Sequence, residues 1–572
     1  MRSKSMRASN VVAMAIAAAV LLAACGGGFR PYPLKAPLWK DPDTRPHETP
    51  PEEYYSPWAW DAADQTVFRP FARIWAVDPA GEAVNVNAID EVPDSSWFQN
   101  RIGRFGMSPA EAARGPCVTP PLDPAGPWTV KGGKPNGANP GFITKGNDGR
   151  LYMLKFDGTL QGPRATAADV IVSKIYYAAG FYTPCNRIVY FDRSILKIDP
   201  DAESENEEGE KVKMTEADLD TIFSKAIRLP DGRYRASASL FLDGKPLGPF
   251  TYQGKRCDDP NDVVAHEDRR ELRGSKLLAA WTNHFDSREQ NSLTMWIEHS
   301  KHGGHVRHNI IDFGDCFGSI WEPPMLGRRI GHSSYLDPSH IGEDFINFGM
   351  KERPWDVARF GPSGKVWGYF DVERFDPEEW QPGFPNPAMT RMVERDGAWM
   401  ARIMAHFTDA HLRAMIATGK IGDPLLEREL TRILIGRRDK ILARYLSGVS
   451  SLSKPRVHLV EGTARLCLND LGVQAGVFDP ALRAYRARAW LSTDLVPAPP
   501  PHVERIGDRT VCTVLPPASG ASPSAPRYVI VDVTGRSGSQ NVAPARVHLY
   551  HLGGSDFRVV GLERPDDDEP PG

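Results

Sequence analysis

The stretch His284-Phe285-Asp286-Ser287-Arg288-Glu289-Gln290-Asn291 and the later stretch Ile311-Asp312-Phe313-Gly314 decide the fold of this chain. Residues 293–297 and 306–311 lie between them and meet at Gly303-Gly304, which predicts a β-hairpin. Taken singly, Asp286 is equally explained as a loop cap, and Asn291 and Asp312 as turn residues with local hydrogen bonds. Their order and spacing together favour one shared function.

This order and spacing resemble the protein-kinase-like superfamily, whose catalytic loop has the form HxDxxxxN and whose metal-binding turn is DFG. The short separation and the Ile-Ile-Asp-Phe-Gly context are more similar to the phosphatidylinositol 3/4-kinase and HipA-like branches than to eukaryotic protein kinases. The resemblance implies an α+β fold with a β-rich N-lobe and a helical C-lobe. It also implies that Asp286 is the catalytic base and that Asn291 and Asp312 hold Mg2+ or Mn2+.

The resemblance extends to a lysine and an acid upstream. Lys155 ends the apolar run 151–156, which follows the turn Asn147-Asp148-Gly149, and stands where the family places its phosphate-binding lysine. Asp169, in the next predicted helix, stands where the family has a glutamate that pairs with that lysine. Aspartate is one methylene shorter, which makes this pairing less secure.

A glycine-containing segment lies between the first two predicted strands. Gly132, Gly133 and Lys134 begin the stretch 132–137, whose backbone N–H groups could approach phosphate. The alternative is a flexible surface turn, since the stretch is not a GxGxxG motif. With Lys155, these residues form the predicted nucleotide site, for which the resemblance implies ATP as the cofactor.

Hydrophobic periodicity predicts the surrounding elements. Strands are expected at residues 128–131, 142–145 and 151–156, and helices at 165–179, before Gly180, and 269–284. Beyond Pro387 the chain is mainly helical, whereas β-type runs at 509–515, 528–533 and 545–552 predict a small C-terminal β domain. The predicted boundaries are 1–24 for a signal peptide, 25–58 for a Pro/Gly-rich tether, 59–125 for an accessory segment, 126–255 for the N-lobe, 256–450 for the C-lobe and 451–572 for the β domain.

The N terminus has the pattern of a bacterial lipoprotein precursor. Basic residues precede the apolar run 11–22, which is too short to span a bilayer as a mature helix. Leu22-Ala23-Ala24-Cys25 matches the lipobox, so Cys25 is the predicted lipidation site and membrane anchor; the alternative is a plain secretory signal with a chance cysteine. Gly26 rather than Asp follows the cysteine, which by resemblance to enterobacterial sorting favours the outer membrane. The predicted location is therefore the cell envelope, on its periplasmic or surface face.

Three further features bear on chemistry. An exported chain permits disulfides, and Cys467 with Cys512 is the pair we favour, although connectivity cannot be derived from sequence. Histidines at 299, 302, 305 and 308 could suggest a metal site, but a two-residue strand period scatters them over both faces, so exposed histidines are favoured. The charged run 266–270 predicts the solvated first turn of a helix.

Composition excludes one class of partner and leaves several hypotheses. A net charge of -3 gives no basic excess for nucleic-acid binding. The leading hypothesis is a membrane-anchored extracytoplasmic phosphotransferase acting on a protein, a lipid headgroup or a glycan, with transfer of AMP as a variant. A rival hypothesis is a non-catalytic scaffold that keeps the fold, since ATP is scarce outside the cytoplasm. In a third, the C-terminal β domain recognises an envelope component.

Overall fold

The computed structural model describes residues 30–75, 81–134, 139–158, 161–205, 211–299, 303–318, 324–353, 355–538, 540–567 and 569–571. The predicted signal peptide, Cys25 and Gly26 lie outside these residues, as does His302. The described chain forms two compact units. The larger contains residues 38–451 and 470–483, and the smaller contains residues 30–37, 452–469 and 484–571. Each is described separately.

The larger unit contains two β-sheets. Its strands are β1 (Trp128–Gly133), β2 (Gly141–Lys145), β3 (Leu151–Phe156), β4 (Asn186–Phe191), β5 (Leu196–Glu205), β6 (Lys211–Lys213), β7 (Tyr234–Leu240), β8 (Lys245–Gly248), β9 (Ser292–Glu298) and β10 (Gly304–Ile310). The seven-stranded sheet has the order β4-β7-β3-β2-β1-β5-β6, and the three-stranded sheet has the order β10-β9-β8. In the larger sheet β1 and β5 are parallel, whereas the other neighbours are antiparallel.

Helices supply the rest of the larger unit. They are α1 (Trp58–Ala63), α2 (Arg69–Arg73), α3 (Ile102–Phe105), α4 (Pro109–Arg114), α5 (Arg164–Ala179), α6 (Glu216–Ser224), α7 (Arg270–Thr282), α8 (Pro324–Arg329), α9 (Pro338–Ile346), α10 (Pro387–Thr390), α11 (Glu394–Met404), α12 (Asp409–Ala417), α13 (Pro424–Gly448) and α14 (Leu471–Gln474). A π-turn over Asp64–Phe68 joins α1 to α2. The chain thus mixes α and β structure, as the sequence predicts.

The helical part of the larger unit is organised around one apolar core. Trp281 of α7, Trp399 of α11 and Leu434 of α13 are buried in it together, and the Trp281 indole donates to the Leu434 carbonyl at 2.7 Å. Helix α5 joins the same core and ends before Gly180, whose φ is 136°. A Cβ at Gly180 would meet the Phe98 ring at 2.1 Å, so both the conformation and the packing require glycine.

The smaller unit is mainly β. Its strands are β11 (Leu452–Val460), β12 (Thr463–Asp470), β13 (Arg483–Leu491), β14 (Val496–Pro497), β15 (Val503–Ile506), β16 (Thr510–Val514), β17 (Arg527–Ser537), β18 (Gln540–Asn541), β19 (Ala545–Gly553) and β20 (Asp556–Glu563). They form sheets of order β11-β12-β16-β15 and β14-β13-β17-β19-β20, and β18 pairs with β17. The runs predicted at 509–515, 528–533 and 545–552 are β16, β17 and β19. Residues 470–483 instead belong to the larger unit, where Leu471 enters the core.

Two disulfides close loops in the chain. Cys467 pairs with Cys512, directly opposite it on the antiparallel strands β12 and β16, which confirms the pair favoured from the sequence. Cys117 pairs with Cys185, which the sequence left open. Among the described cysteines, Cys257 and Cys316 are free.

Removal of the Cys117–Cys185 disulfide is expected to lower the free energy of unfolding by about 2–4 kcal/mol, because the unfolded chain gains conformational freedom. Denaturant unfolding of the Cys117→Ser/Cys185→Ser variant measures this change. Cys257→Ser is the control, since it replaces an exposed free thiol, and it should stay within about 0.5 kcal/mol of the wild type.

Residues 38–57 do not form the unpacked tether that their composition predicts. The Asp43 carboxylate accepts hydrogen bonds from the Ser96 backbone N–H at 2.9 Å and from the Ser96 hydroxyl at 2.7 Å. The backbone of His47 exchanges hydrogen bonds with Gly304 at the start of β10. Proline removes local hydrogen bonding but does not prevent pairing with distant segments, so composition alone misassigned this part.

The charged run 266–270 is buried, which contradicts the expectation of a solvated helix start. The Asp262 carboxylate lies 2.7 Å from Nε2 of His266 and 3.2 Å from the Arg269 guanidinium. Arg270 in turn pairs with Asp396 of α11 at 3.2 Å. Asp262 is close in the chain, but Asp396 lies 126 positions from Arg270, so the run itself gave no sign that its charges are neutralised inside the protein.

None of the helices in the described part of the chain is both long enough and apolar enough to cross a membrane.

Candidate active site

Lys155 lies between two carboxylates that come from separate elements. Its Nζ is 2.9 Å from Oδ1 of Asp312 and 3.5 Å from Oδ1 of Asp169. Lys155 is on β3, Asp169 is on the second turn of α5, and Asp312 follows β10. The structure therefore brings together three residues that are up to 157 positions apart in the chain.

Asp169 connects the large sheet, α5 and the turn at Asp312. Its Oδ2 accepts a hydrogen bond from the Ser237 hydroxyl of β7 at 2.9 Å. Its Oδ1 accepts one from the Phe313 backbone N–H at 3.2 Å. The short aspartate side chain thus holds both Lys155 and the turn in place, and these contacts account for its full burial.

The hairpin of β9 and β10 places Asn291 and Asp312 on adjacent chain segments. Ser292 is opposite Ile310 in the register, and the Ile311 N–H donates to the Asn291 carbonyl at 2.9 Å. Asp312 then adopts a left-handed φ of 56°. Asparagine and aspartate tolerate this conformation better than other non-glycine residues do. The two predicted metal ligands therefore follow from one hairpin.

Asp286 is held by its neighbours in the loop after α7. The Asn291 amide nitrogen donates to Oδ2 of Asp286 at 2.9 Å and to its carbonyl at 2.7 Å. Nε of Arg288 lies 3.0 Å from Oδ1 of the same carboxylate. Because the Asn291 nitrogen serves the loop, its amide oxygen is the atom suited to a cation.

Asp315, which the sequence analysis did not single out, belongs to the same site. Its Oδ2 accepts a hydrogen bond from the Asp286 N–H at 3.0 Å, and its Oδ1 lies 3.6 Å from Nε2 of His284. With Cys316, these two side chains form the one compact group of potential metal ligands among the described residues. Burial lowers the pKa of His284 to about 4 and raises that of the Cys316 thiol. The sequence signal that could have identified Asp315 is its position three residues after Asp312.

The carboxylates of the site have opposite pKa directions. Burial raises the pKa of Asp286 and of Asp315; Arg288 opposes this for Asp286, whereas the negative charges of Asp315 and Asp312 add to it. For Asp312 the positive charges of Lys155 and Lys134 outweigh burial and hold its pKa well below the usual range. Asp312 is therefore ionised. A bound cation would favour the charged forms of Asp286 and Asp315.

Lys134 reaches this cluster, whereas Gly132 and Gly133 do not form a loop. Burial lowers the pKa of Lys134, and the nearby Asp312 charge partly opposes that effect. The two glycines end β1, and a Cβ at Gly132 would meet the Glu203 carbonyl of β5 at 2.8 Å. Close approach of β5 thus explains this glycine. Residues 135–137 of the predicted phosphate loop lie outside the described residues.

The segment from α1 to α2 binds the loop that carries Asp286. The Arg69 guanidinium contacts both oxygens of Glu289, at 2.8 and 3.2 Å, and the Gln65 amide lies 3.4 Å from Glu289. Asp61 accepts a hydrogen bond from Gln290. No local pattern in the sequence signalled this contact, because its partners are more than 200 positions apart.

Arg69→Leu is expected to lower the free energy of unfolding by about 1–3 kcal/mol, because it leaves the largely buried Glu289 carboxylate without its main partner. Denaturant unfolding measures the loss. The control, Arg233→Leu, breaks an exposed pair with Asp231 and should change stability much less than Arg69→Leu does. Equal losses in the two variants would contradict a structural role for the ion pair between Arg69 and Glu289.

The histidines of the hairpin have different environments. His299 and His305 are hydrogen-bonded to each other, with ring nitrogens 2.7 Å apart, on the exposed side. His308 is buried, contrary to prediction, and stacks on Trp97 with ring centroids 3.4 Å apart. The two-residue strand period does separate His305 from His308, as the sequence predicts.

Comparisons with known proteins add little to this geometry. No protein-family model and no curated protein match the chain. Two solved structures are similar to it, described as the "crystal structure of the Golgi casein kinase with Mn/ADP bound" and the "Crystal structure of the golgi casein kinase", at 12% and 11% identity. Each match covers 50% of this chain and 75% of the other, with TM-scores of 0.23 and 0.22. Scores this low establish neither a common fold nor a common activity.

Proposed function

We propose that the larger unit is a protein-kinase-like phosphotransferase that uses ATP and a divalent cation. The observation that carries this proposal is the convergence of Lys155, Asp169 and Asp312 beside the loop that holds Asp286 and Asn291. The seven-stranded sheet corresponds to an N-lobe and the helical part to a C-lobe. Phosphoryl transfer needs this combination of a cation on the phosphates, a metal and a carboxylate that orients the acceptor.

Each side chain has a distinct task. Lys155, kept protonated by two carboxylates despite its burial, binds phosphate oxygens, and Asp169 orients it. Asp286 accepts a hydrogen bond from the acceptor hydroxyl and takes its proton as transfer proceeds. Asp315 positions Asp286 through the backbone hydrogen bond described above.

The donor set fits Mg2+ or Mn2+. Asp312 and the amide oxygen of Asn291 are oxygen ligands, which hard cations prefer. Burial raises the pKa values of Asp286 and Asp315, and the charge of Asp312 adds to both shifts, so a nearby cation would favour their ionised forms. When bound, the cation supplies charge neutralisation for the phosphates.

We propose further that the protein is lipid-anchored outside the cytoplasm through Cys25. The lipobox supports the anchor, and the two disulfides support an oxidising compartment. A diacylglycerol-bearing Cys25 in the purified protein, seen by mass spectrometry and lost in Cys25→Ser, tests the anchor.

Nucleotide-dependent thermal stability tests the enzymatic proposal. At about one hundred times its Kd, ATP with Mg2+ or Mn2+ should stabilise the wild type by about 2.7 kcal/mol. Transfer from ATP labelled at the γ-phosphate, compared with ATP labelled at the α-phosphate, separates phosphate transfer from AMP transfer. A complete absence of stabilisation with either cation would contradict the proposal and favour the scaffold alternative.

The remaining alternative, recognition by the C-terminal β domain, needs a different experiment from a simple truncation. Removing residues from 452 onward also removes 470–483, which pack in the larger unit. Point variants on the smaller unit avoid this loss of the core residue Leu471.

A further inference from the structure

The segment from α1 to α2 is amphipathic with its polarity inverted. Its polar residues Asp61, Gln65 and Arg69, spaced by four, face the protein and bind the catalytic loop. Its large apolar side chains are exposed instead. These are Trp60, Val67, Phe68, Phe71 and, just beyond the helix, Ile74 and Trp75. A helix on a protein surface ordinarily buries its apolar side.

A second element of the larger unit also exposes apolar side chains. Helix α9 contains no buried residue, and its apolar positions recur at helical spacing. The exposed residues are Ile341, Phe345 and Ile346 in the helix and Phe348 and Met350 just beyond it, all of which we count with α9; Phe345 is 83% and Phe348 is 87% exposed. Exposed apolar surface of this extent marks a contact site.

One surface cleft joins the two elements. Pro70 and Ile74 line it from the first segment, and Leu336 and Pro338 line it from the start of α9. We define the exposed apolar side chains of the α1–α2 segment and of α9 as the apolar face. Its two parts border this cleft, and the polar side of the α1–α2 segment contacts the loop that carries Asp286.

We propose that the apolar face inserts into the interfacial layer of a phospholipid membrane. Protruding Trp and Phe side chains are those that enter the headgroup and acyl boundary. The inference rests on the anchored location proposed above. Twelve residues lie between Cys25 and Leu38, where the larger unit begins, so at most about 45 Å of chain holds this unit near the bilayer.

Insertion places the phosphotransfer loop at the membrane surface. The polar side of the α1–α2 segment contacts Glu289 and Gln290, so it holds the loop that carries Asp286 at a fixed position relative to the membrane. Acceptors at or close to the lipid headgroups are therefore the ones within reach of the site.

Vesicle co-sedimentation tests the proposal on the chain from Gly26 onward, which keeps every described residue and lacks the lipid. The vesicles contain phosphatidylethanolamine and phosphatidylglycerol. The wild type should bind, and the variant Phe68→Ser/Phe71→Ser/Phe345→Ser/Phe348→Ser should bind at least about tenfold more weakly, since each phenylalanine contributes apolar burial. The control Val84→Ser/Phe105→Ser/Val118→Ser/Val263→Ser changes four exposed apolar residues outside the apolar face and should bind as the wild type does.

Two results would overturn the inference. One is equal vesicle binding by the wild type and the first variant, or none by the wild type. The other is a wild-type dimer in sedimentation velocity that the first variant dissociates, which would make a second copy the occupant. ATP-dependent thermal stability of both variants, measured without vesicles, checks folding. It also separates this inference from the enzymatic proposal, as lipidation of Cys25 separates it from the anchor.

Discussion

Asp312→Asn is expected to abolish the stabilisation of the protein by ATP with Mg2+ or Mn2+. The wild type should gain about 2.7 kcal/mol at one hundred times its Kd, and the variant should gain almost none. Asparagine accepts the left-handed φ of 56° at this position, so the turn is kept. The neutral amide, however, removes the ionised carboxylate that both Lys155 and a cation require.

Differential scanning fluorimetry measures this effect, with EDTA added in a parallel series. Asp243→Asn, an exposed aspartate on the loop after β7, is the matched control and should keep the full shift. Without nucleotide, the variant should melt at a lower temperature than the wild type, because Lys155 loses one of its two carboxylate partners. An unchanged ATP shift in Asp312→Asn would show that nucleotide binds elsewhere.

The sequence predicted those parts of the fold that local signals control. Strand β3 begins and ends where the apolar run after the Asp148-Gly149 turn predicts, because that turn fixes the hairpin register. Helix α5 ends at Gly180 as expected. The burial of Arg270 could not be predicted, because its acidic partner Asp396 lies 126 positions away in the chain.

The candidate site likewise contains residues that local signals predict and residues whose roles depend on distant partners. Asp286, Asn291 and Asp312 were found because a fixed spacing and one hairpin bring them together. Asp315 lies in the same turn but was missed, since its role depends on a backbone N–H in another loop. The ion pair between Arg69 and Glu289 could not be predicted for a similar reason. Its partners are 220 positions apart, and no periodic pattern in the sequence connects them.

Asp286→Asn is expected to reduce phosphotransfer by about 10²–10⁴-fold, the usual contribution of a general base, while nucleotide binding is kept. The amide is nearly isosteric, so the position of the loop between Arg288 and Asn291 is largely preserved. It cannot take a proton from an acceptor hydroxyl. Hydrolysis of ATP to ADP, with water as the acceptor, measures the loss without knowledge of the natural substrate.

The combination of this variant with Asp312→Asn separates an enzyme from a scaffold. In an enzyme, Asp286→Asn keeps the ATP-dependent thermal shift and loses turnover, because its carboxylate acts on the acceptor, whereas Asp312→Asn loses both. In a scaffold that binds nucleotide without turnover, the wild type and Asp286→Asn hydrolyse ATP at the same background rate. Asp243→Asn should match the wild type in both measurements, so a loss there would point to damage to the fold and not to the chemistry of the site.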